Sequence, residues 1–132
     1  MKINALRPRL ERGAAVVDFV LIMVLLIPIV LGVMQVGLVM HVRNTLSAAA
    51  SEGARAAAVA GGAPSVGVER ARALIRTAIA DKYADWVTAG FGLVGGVPGT
   101  VVRVRAEVPA LGLFGPGVSI DVEGHAVRED PP

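Results

Sequence analysis

The chain has 132 residues, is 54% hydrophobic but only 4% aromatic, and contains no cysteine. That length covers one small domain plus a membrane segment, and the absence of cysteine excludes disulfides, thiolate catalysis and cysteine metal sites. The formal charge of +2 conceals an asymmetry: Met1–Gly13 holds Lys2, Arg7, Arg9 and Arg12 against Glu11, leaving 13 − 4 = 9 basic and 11 − 1 = 10 acidic residues elsewhere.

The basic leader ends at Gly13, and an apolar run follows from Ala14 to Met40 with only Asp18 and Gln35 as strongly polar members. About 20 apolar residues span a hydrocarbon core, so the run predicts a transmembrane helix over 14–40. Basic residues cluster before it, whereas only His41 and Arg43 follow closely. Positive-inside bias therefore predicts a single-pass protein of the cell membrane, with a cytoplasmic N-terminus and an extracytoplasmic C-terminal part. The basic excess is a topology signal and gives no indication of nucleic-acid binding. Asp18 is the informative exception in the run. A carboxylate costs roughly 2.5–3.5 kcal/mol at a helix centre even on the mild insertion scale, and a chain that keeps one there has a use for it. Pro28, mid-run, predicts at most a mild kink, because membrane helices tolerate proline.

Two rival readings of this segment stand. A secretory signal peptide has an apolar core of about 7–15 residues followed by a small-residue site, and Ser47-Ala48-Ala49-Ala50 offers such a site. A plain uncleaved anchor is the other.

The helical pattern continues past Met40, predicting an extracytoplasmic continuation over 41–62. Small residues recur every fourth position at Ala49, Gly53 and Ala57, and again at Ala50, Ala54 and Ala58. Such rows allow close helix approach, which makes Ala49, Gly53 and Ala57 candidate helix-packing residues. Glu52 and Arg55 suit the wet face as an i, i+3 pair. Gly61-Gly62-Ala63-Pro64 predicts the stop.

The rest, 63–132, reads as a small α+β domain. An amphipathic helix is predicted from Ser65 to about Ala84, with Val68, Ala71, Leu74 or Ile75, Ala78 and Ile79 on its stripe. Glycines from Gly90 to Gly99 break any helix, and a short strand over Trp86–Val94 is admissible. Thr100–Val108 and Val118–Arg128 alternate apolar and polar residues. They predict an antiparallel pair that lays one apolar face on the second helix, with Arg103 and Arg105 opposite Asp121 and Glu123, and with helix and pair together packed on the outer third of the first helix. Tyr83 and Trp86 are expected to anchor the core, the alternative being a place near the membrane surface.

No catalytic constellation emerges. His41 and His125 lack ligand-like partners and are expected at the surface. The serines fit no nucleophile elbow, the Gly-rich segments lack a phosphate-loop context, and Asp81 and Asp85 read as solvated. The expectation is a non-enzyme without cofactor, metal, nucleic-acid or small-molecule partner.

Arg12-Gly13-Ala14-Ala15-Val16-Val17-Asp18-Phe19, the apolar run, and the later Ala48-Ala49-Ala50-Ser51-Glu52-Gly53-Ala54-Arg55 resemble the TadE-like family, minor pilin-like proteins of tight-adherence (Flp-type) pilus assembly. Glu52-Gly53-Ala54-Arg55 is the most specific part. The family typically carries glutamate five residues after the glycine, where this chain has Asp18. The resemblance implies a pilin-like α+β fold with a long N-terminal helix and a pseudopilin-like structural role. It also implies a 1–13 leader peptide removed between Gly13 and Ala14 by a prepilin peptidase. Implied partners are the lipid bilayer, that peptidase, other pilin-like subunits and tight-adherence assembly proteins. After cleavage, Asp18 would lie one helical turn from the new Ala14 amine, as a membrane carboxylate for assembly. The alternative is an anchored or secreted envelope protein whose N-terminal segment serves only targeting.

Overall fold

The computed structural model describes residues 7–59, 62–111 and 115–129, with side chains from Gly13 onward. Lys2, the side chains of Arg7, Arg9, Glu11 and Arg12, and the expected helix stop at Gly61 lie outside the described residues.

The first helix, α1 (Arg7–Ala58), has 52 residues and is about 78 Å long at ~1.5 Å per residue. It begins seven residues before the expected Ala14. Arg, Leu and Glu in the leader are good helix formers, and Pro8 falls in the first turn, where its missing N–H deprives no carbonyl. Pro28 lies inside α1 without ending it.

The second helix, α2 (Pro64–Ala78), starts with proline in its first turn. It stops six residues short of the expected Ala84. Ile79 leaves helical geometry at φ −131° and ψ −81°, while its N–H still bonds the Ile75 carbonyl at 2.9 Å. A short 3-10 turn, Asp81–Ala84, follows. The break turns Tyr83 and Ala84 into the core and delivers the chain to the first strand two residues later. Asp81 and Asp85 are both exposed.

Three antiparallel strands form one sheet in the order β1 (Trp86–Val94), β2 (Val97–Val108), β3 (Val118–Val127). β1 and β2 are joined by Gly95 and Gly96, both at positive φ (61° and 85°), as a two-residue hairpin turn requires. Alternation puts Thr100, Val102, Val104, Ala106 and Val108 on the inner face. On the outer face Arg103 stands opposite Glu123 and Arg105 opposite Asp121. Both pairs are hydrogen-bonded, and the Glu123 hydrogen bond holds the Arg103 guanidinium above its ordinary pKa. The same alternation corrects one expectation. Tyr83 is buried, but Trp86 is 72% exposed, because its neighbour Val87 takes the inward position.

The sheet and α2 both pack on the outer part of α1, as expected, and the sheet leans on α1 more than on α2. Its inner face lies chiefly on α1, with α2 packed beside it and reaching Val102 and β1. Gly124 in β3 has no side chain on that face, so the strand rests directly on the α1 backbone at Ala50. The core therefore joins Val42, Leu46, Ala50 and Ala54 of α1 to Ala71 and Ile75 of α2 and to the sheet. The globular unit is built from residues 42–58 as much as from the chain after residue 62.

Candidate membrane and assembly interface

The N-terminal half of α1 stands free of this globular unit. Its most apolar window has a mean hydropathy of 3.0, and none of it is buried. Leu21, Leu25 and Val33 are among many large apolar side chains left open. A helix that is apolar all round and unburied requires a non-aqueous surrounding, and this one is long and apolar enough to cross a membrane. The apolar run does not stop where the globular unit begins. Leu38 and Val39, within the run, already pack against the core.

Gly13 and Ala14 lie inside the continuous helix, not at its end. Nothing approaches within 4 Å of a Cβ built on Gly13, and its φ is not positive. Glycine in a helix interior costs about 1 kcal/mol relative to alanine, so the fold gives no reason for glycine at this position. Gly32 and Gly37 are equally open, but they sit within the apolar run, where glycine is common. Asp18 is exposed on α1, one turn after Ala14 on the same face.

The rows of small residues lie elsewhere. A Cβ on Gly53 would stand 2.6 Å from the Gly67 carbonyl oxygen and 3.0 Å from Ala71 Cβ. Conversely, a Cβ on Gly67 would meet the Gly53 oxygen at 2.8 Å and Ala57 Cβ at 3.0 Å. Ala49 and Ala57 are buried along the same side. This row packs α1 against the chain's own α2. The second row, Ala50, Ala54 and Ala58, is also buried, with Ala50 under β3. Glu52 closes the seam from outside, pairing with Arg55 at 3.7 Å and with Arg70 of α2 at 3.6 Å.

Gln35, the second polar residue of the run, has a role that sequence reasoning missed. Its Nε2 donates to the Pro109 carbonyl at 3.2 Å, and its Oε1 accepts from the Leu111 N–H at 2.8 Å. One side-chain amide thus serves both backbone groups that flank Ala110. The only signal in the sequence was an isolated amide near the end of an apolar run, since its partners are backbone atoms.

His41 is exposed, and His125 lies 3.6 Å from Glu123 on the outer sheet face. Among the described residues no group of three or more His, Asp or Glu side chains is arranged to hold a metal ion.

A family model described as TadE-like protein matches residues 13–55. The matched stretch runs from Gly13 through Asp18 and the apolar helix to the Gly53 seam, and stops before α2 and the sheet. No curated protein and no solved structure matches the chain.

Proposed function

We propose that this chain, TadE-like over residues 13–55, is a membrane-anchored, pseudopilin-like structural component of tight-adherence pilus assembly. The observation that carries the reading is the union of two features in one helix. An exposed apolar segment opens with Gly13 and Asp18, and the same helix continues without interruption into the core of a small α+β domain.

The basic leader holds the N-terminus in the cytoplasm, and the domain lies outside. Gly13 answers to a peptidase, not to the fold: a prepilin peptidase cuts between Gly13 and Ala14, where the chain passes from polar to apolar. The new Ala14 amine and Asp18 lie on one helix face, about 6 Å apart along the axis at ~1.5 Å per residue. In a packed array the amine of one subunit pairs with Asp18 of its neighbour, which lowers the cost of a carboxylate in the membrane and fixes the axial register. The role is structural, with pilin-like subunits and assembly proteins as partners.

A signal-peptide cut after Ala50 fits poorly. It would strip Val42, Leu46, Ala49 and Ala50, all at most 3% exposed, from the core. Fully burying a leucine alone contributes about 1.5–3 kcal/mol.

Mass spectrometry of the mature N-terminus tests the proposal. A chain beginning at Ala14, and an uncut precursor for Gly13→Leu, is the expected result. A mature chain beginning near Ser51, or an intact one, overturns it.

A further inference from the structure

The end of the globular unit nearest the free part of α1 has an unusual composition. Between Glu107 and Asp121 the chain carries no charged side chain, and on α1 none lies between Asp18 and His41. Pro109, Leu111 and Val118 are exposed at this end. Beside them α1 exposes Met34, Val36 and Met40. These residues form an apolar collar continuous with the free helix. The charged or titratable groups that bound it in sequence are His41 and Arg43 on α1 and Glu107 and Asp121 on the strands, and Asp81, Lys82 and Asp85, exposed in and just after the 3-10 turn that leads into Trp86, lie at the same end of the sheet.

The height of this collar is set by Gln35. Gln35 comes twenty-one positions after Ala14, a rise of about 32 Å at ~1.5 Å per residue, against roughly 30 Å for a bilayer's hydrocarbon core. When Ala14 enters at the inner boundary, Gln35 reaches the outer one. There water thins, and an unpaired amide or backbone group becomes expensive. The two hydrogen bonds of Gln35 satisfy its own amide and the Pro109 and Leu111 backbone together at that level. His41 then stands about 9 Å above the boundary and Arg43 about 12 Å above it, both beyond a headgroup layer of about 5–7.5 Å.

We propose that the segment Pro109–Leu111, pinned to Gln35 and flanked by Val118, seats on the outer lipid surface of the membrane that α1 crosses. There it sets the height and tilt of the globular domain. The occupant of the apolar collar is the boundary between headgroups and acyl chains, because the collar continues the surface of the spanning helix. The inference rests on the membrane reading of α1, and the test separates the two.

The chain has no native cysteine, so single-cysteine variants carry one spin label each. The full chain is reconstituted in phosphatidylcholine–phosphatidylglycerol vesicles. Collisions of the label with oxygen, which enters lipid, are compared with collisions with a water-soluble nickel chelate. Ile27→Cys reports the span. Leu93→Cys, 74% exposed at the far end of the sheet, reports water, with Pro98, its partner on β2, about 33 Å along that strand from Val108 at ~3.3 Å per residue. Leu111→Cys reports the collar. The expected result is oxygen-dominated collisions at Ile27, nickel-dominated ones at Leu93, and a clear shift toward oxygen at Leu111. Gln35→Leu, which keeps the helix and removes both hydrogen bonds, should move Leu111 back toward nickel. A Leu111 label that behaves like Leu93 while Ile27 is in lipid overturns the collar alone. Nickel-dominated collisions at Ile27 overturn the membrane reading with it. Protection of Leu111 that appears only at high protein density marks a protein contact and also overturns the collar.

Discussion

Gly124 of β3 lies against Ala50 of α1 so closely that a Cβ on the glycine would overlap the Ala50 carbonyl and the Ser51 nitrogen. The strand and the helix meet backbone to backbone. This explains how a chain with few large side chains closes a core: it brings the elements nearer instead of filling the space between them. Gly124→Ala should therefore destabilise the domain by about 1–3 kcal/mol, the usual cost of overpacking. Gly90→Ala, whose Cβ meets nothing within 4 Å, should be close to neutral. Chemical unfolding of the full chain in detergent micelles measures both.

The α1–α2 seam follows the same logic with two glycines. Gly53→Ala and Gly67→Ala each push a methyl into the facing backbone, and each should cost about 1–3 kcal/mol. Because both widen the same gap, the double variant should cost clearly less than the sum of the singles. Strict additivity in that double-mutant cycle would show that the two glycines act separately.

Thr100 is fully buried between Phe91 and Ala126, and its Oγ1 has no hydrogen-bond partner. An unsatisfied buried hydroxyl carries a desolvation penalty of about 1–3 kcal/mol. Thr100→Val keeps the shape and removes the penalty, and should raise the unfolding free energy by about 1 kcal/mol. A loss of stability of similar size would reveal a partner for the hydroxyl.

Asp18 offers the most direct test of assembly. Asp18→Asn keeps size and polarity but removes the charge. The variant should be cleaved after Gly13 like the parent, yet fail to co-purify with pilus components and to support surface piliation. Asp18→Glu, which retains the charge, should preserve both. Unchanged piliation in Asp18→Asn would remove the carboxylate from the assembly contact.

Much of this protein was legible from local pattern. An apolar run of constant character marks a membrane helix because the bilayer acts on every residue in it. The strict alternation of Thr100–Val108 and Val118–Val127 marked β2 and β3, and their cross-strand charges, because a sheet face has period two. The small residues from Ala49 to Ala58 announced close packing. What they pack against was decided by tertiary structure. One row takes the chain's own α2, the other takes β3, and the side chains alone did not distinguish these from a neighbouring helix. The end of α2 at Ala78 and the exposure of Trp86 depend on where the chain must turn to begin β1. The role of Gln35 depends on backbone atoms more than seventy residues away. Local sequence records the environment each residue meets, lipid, water or core. Which distant surface supplies that environment is fixed only when the backbones approach, and here Gly53, Gly67 and Gly124, with the alanines of two rows, let them approach to contact.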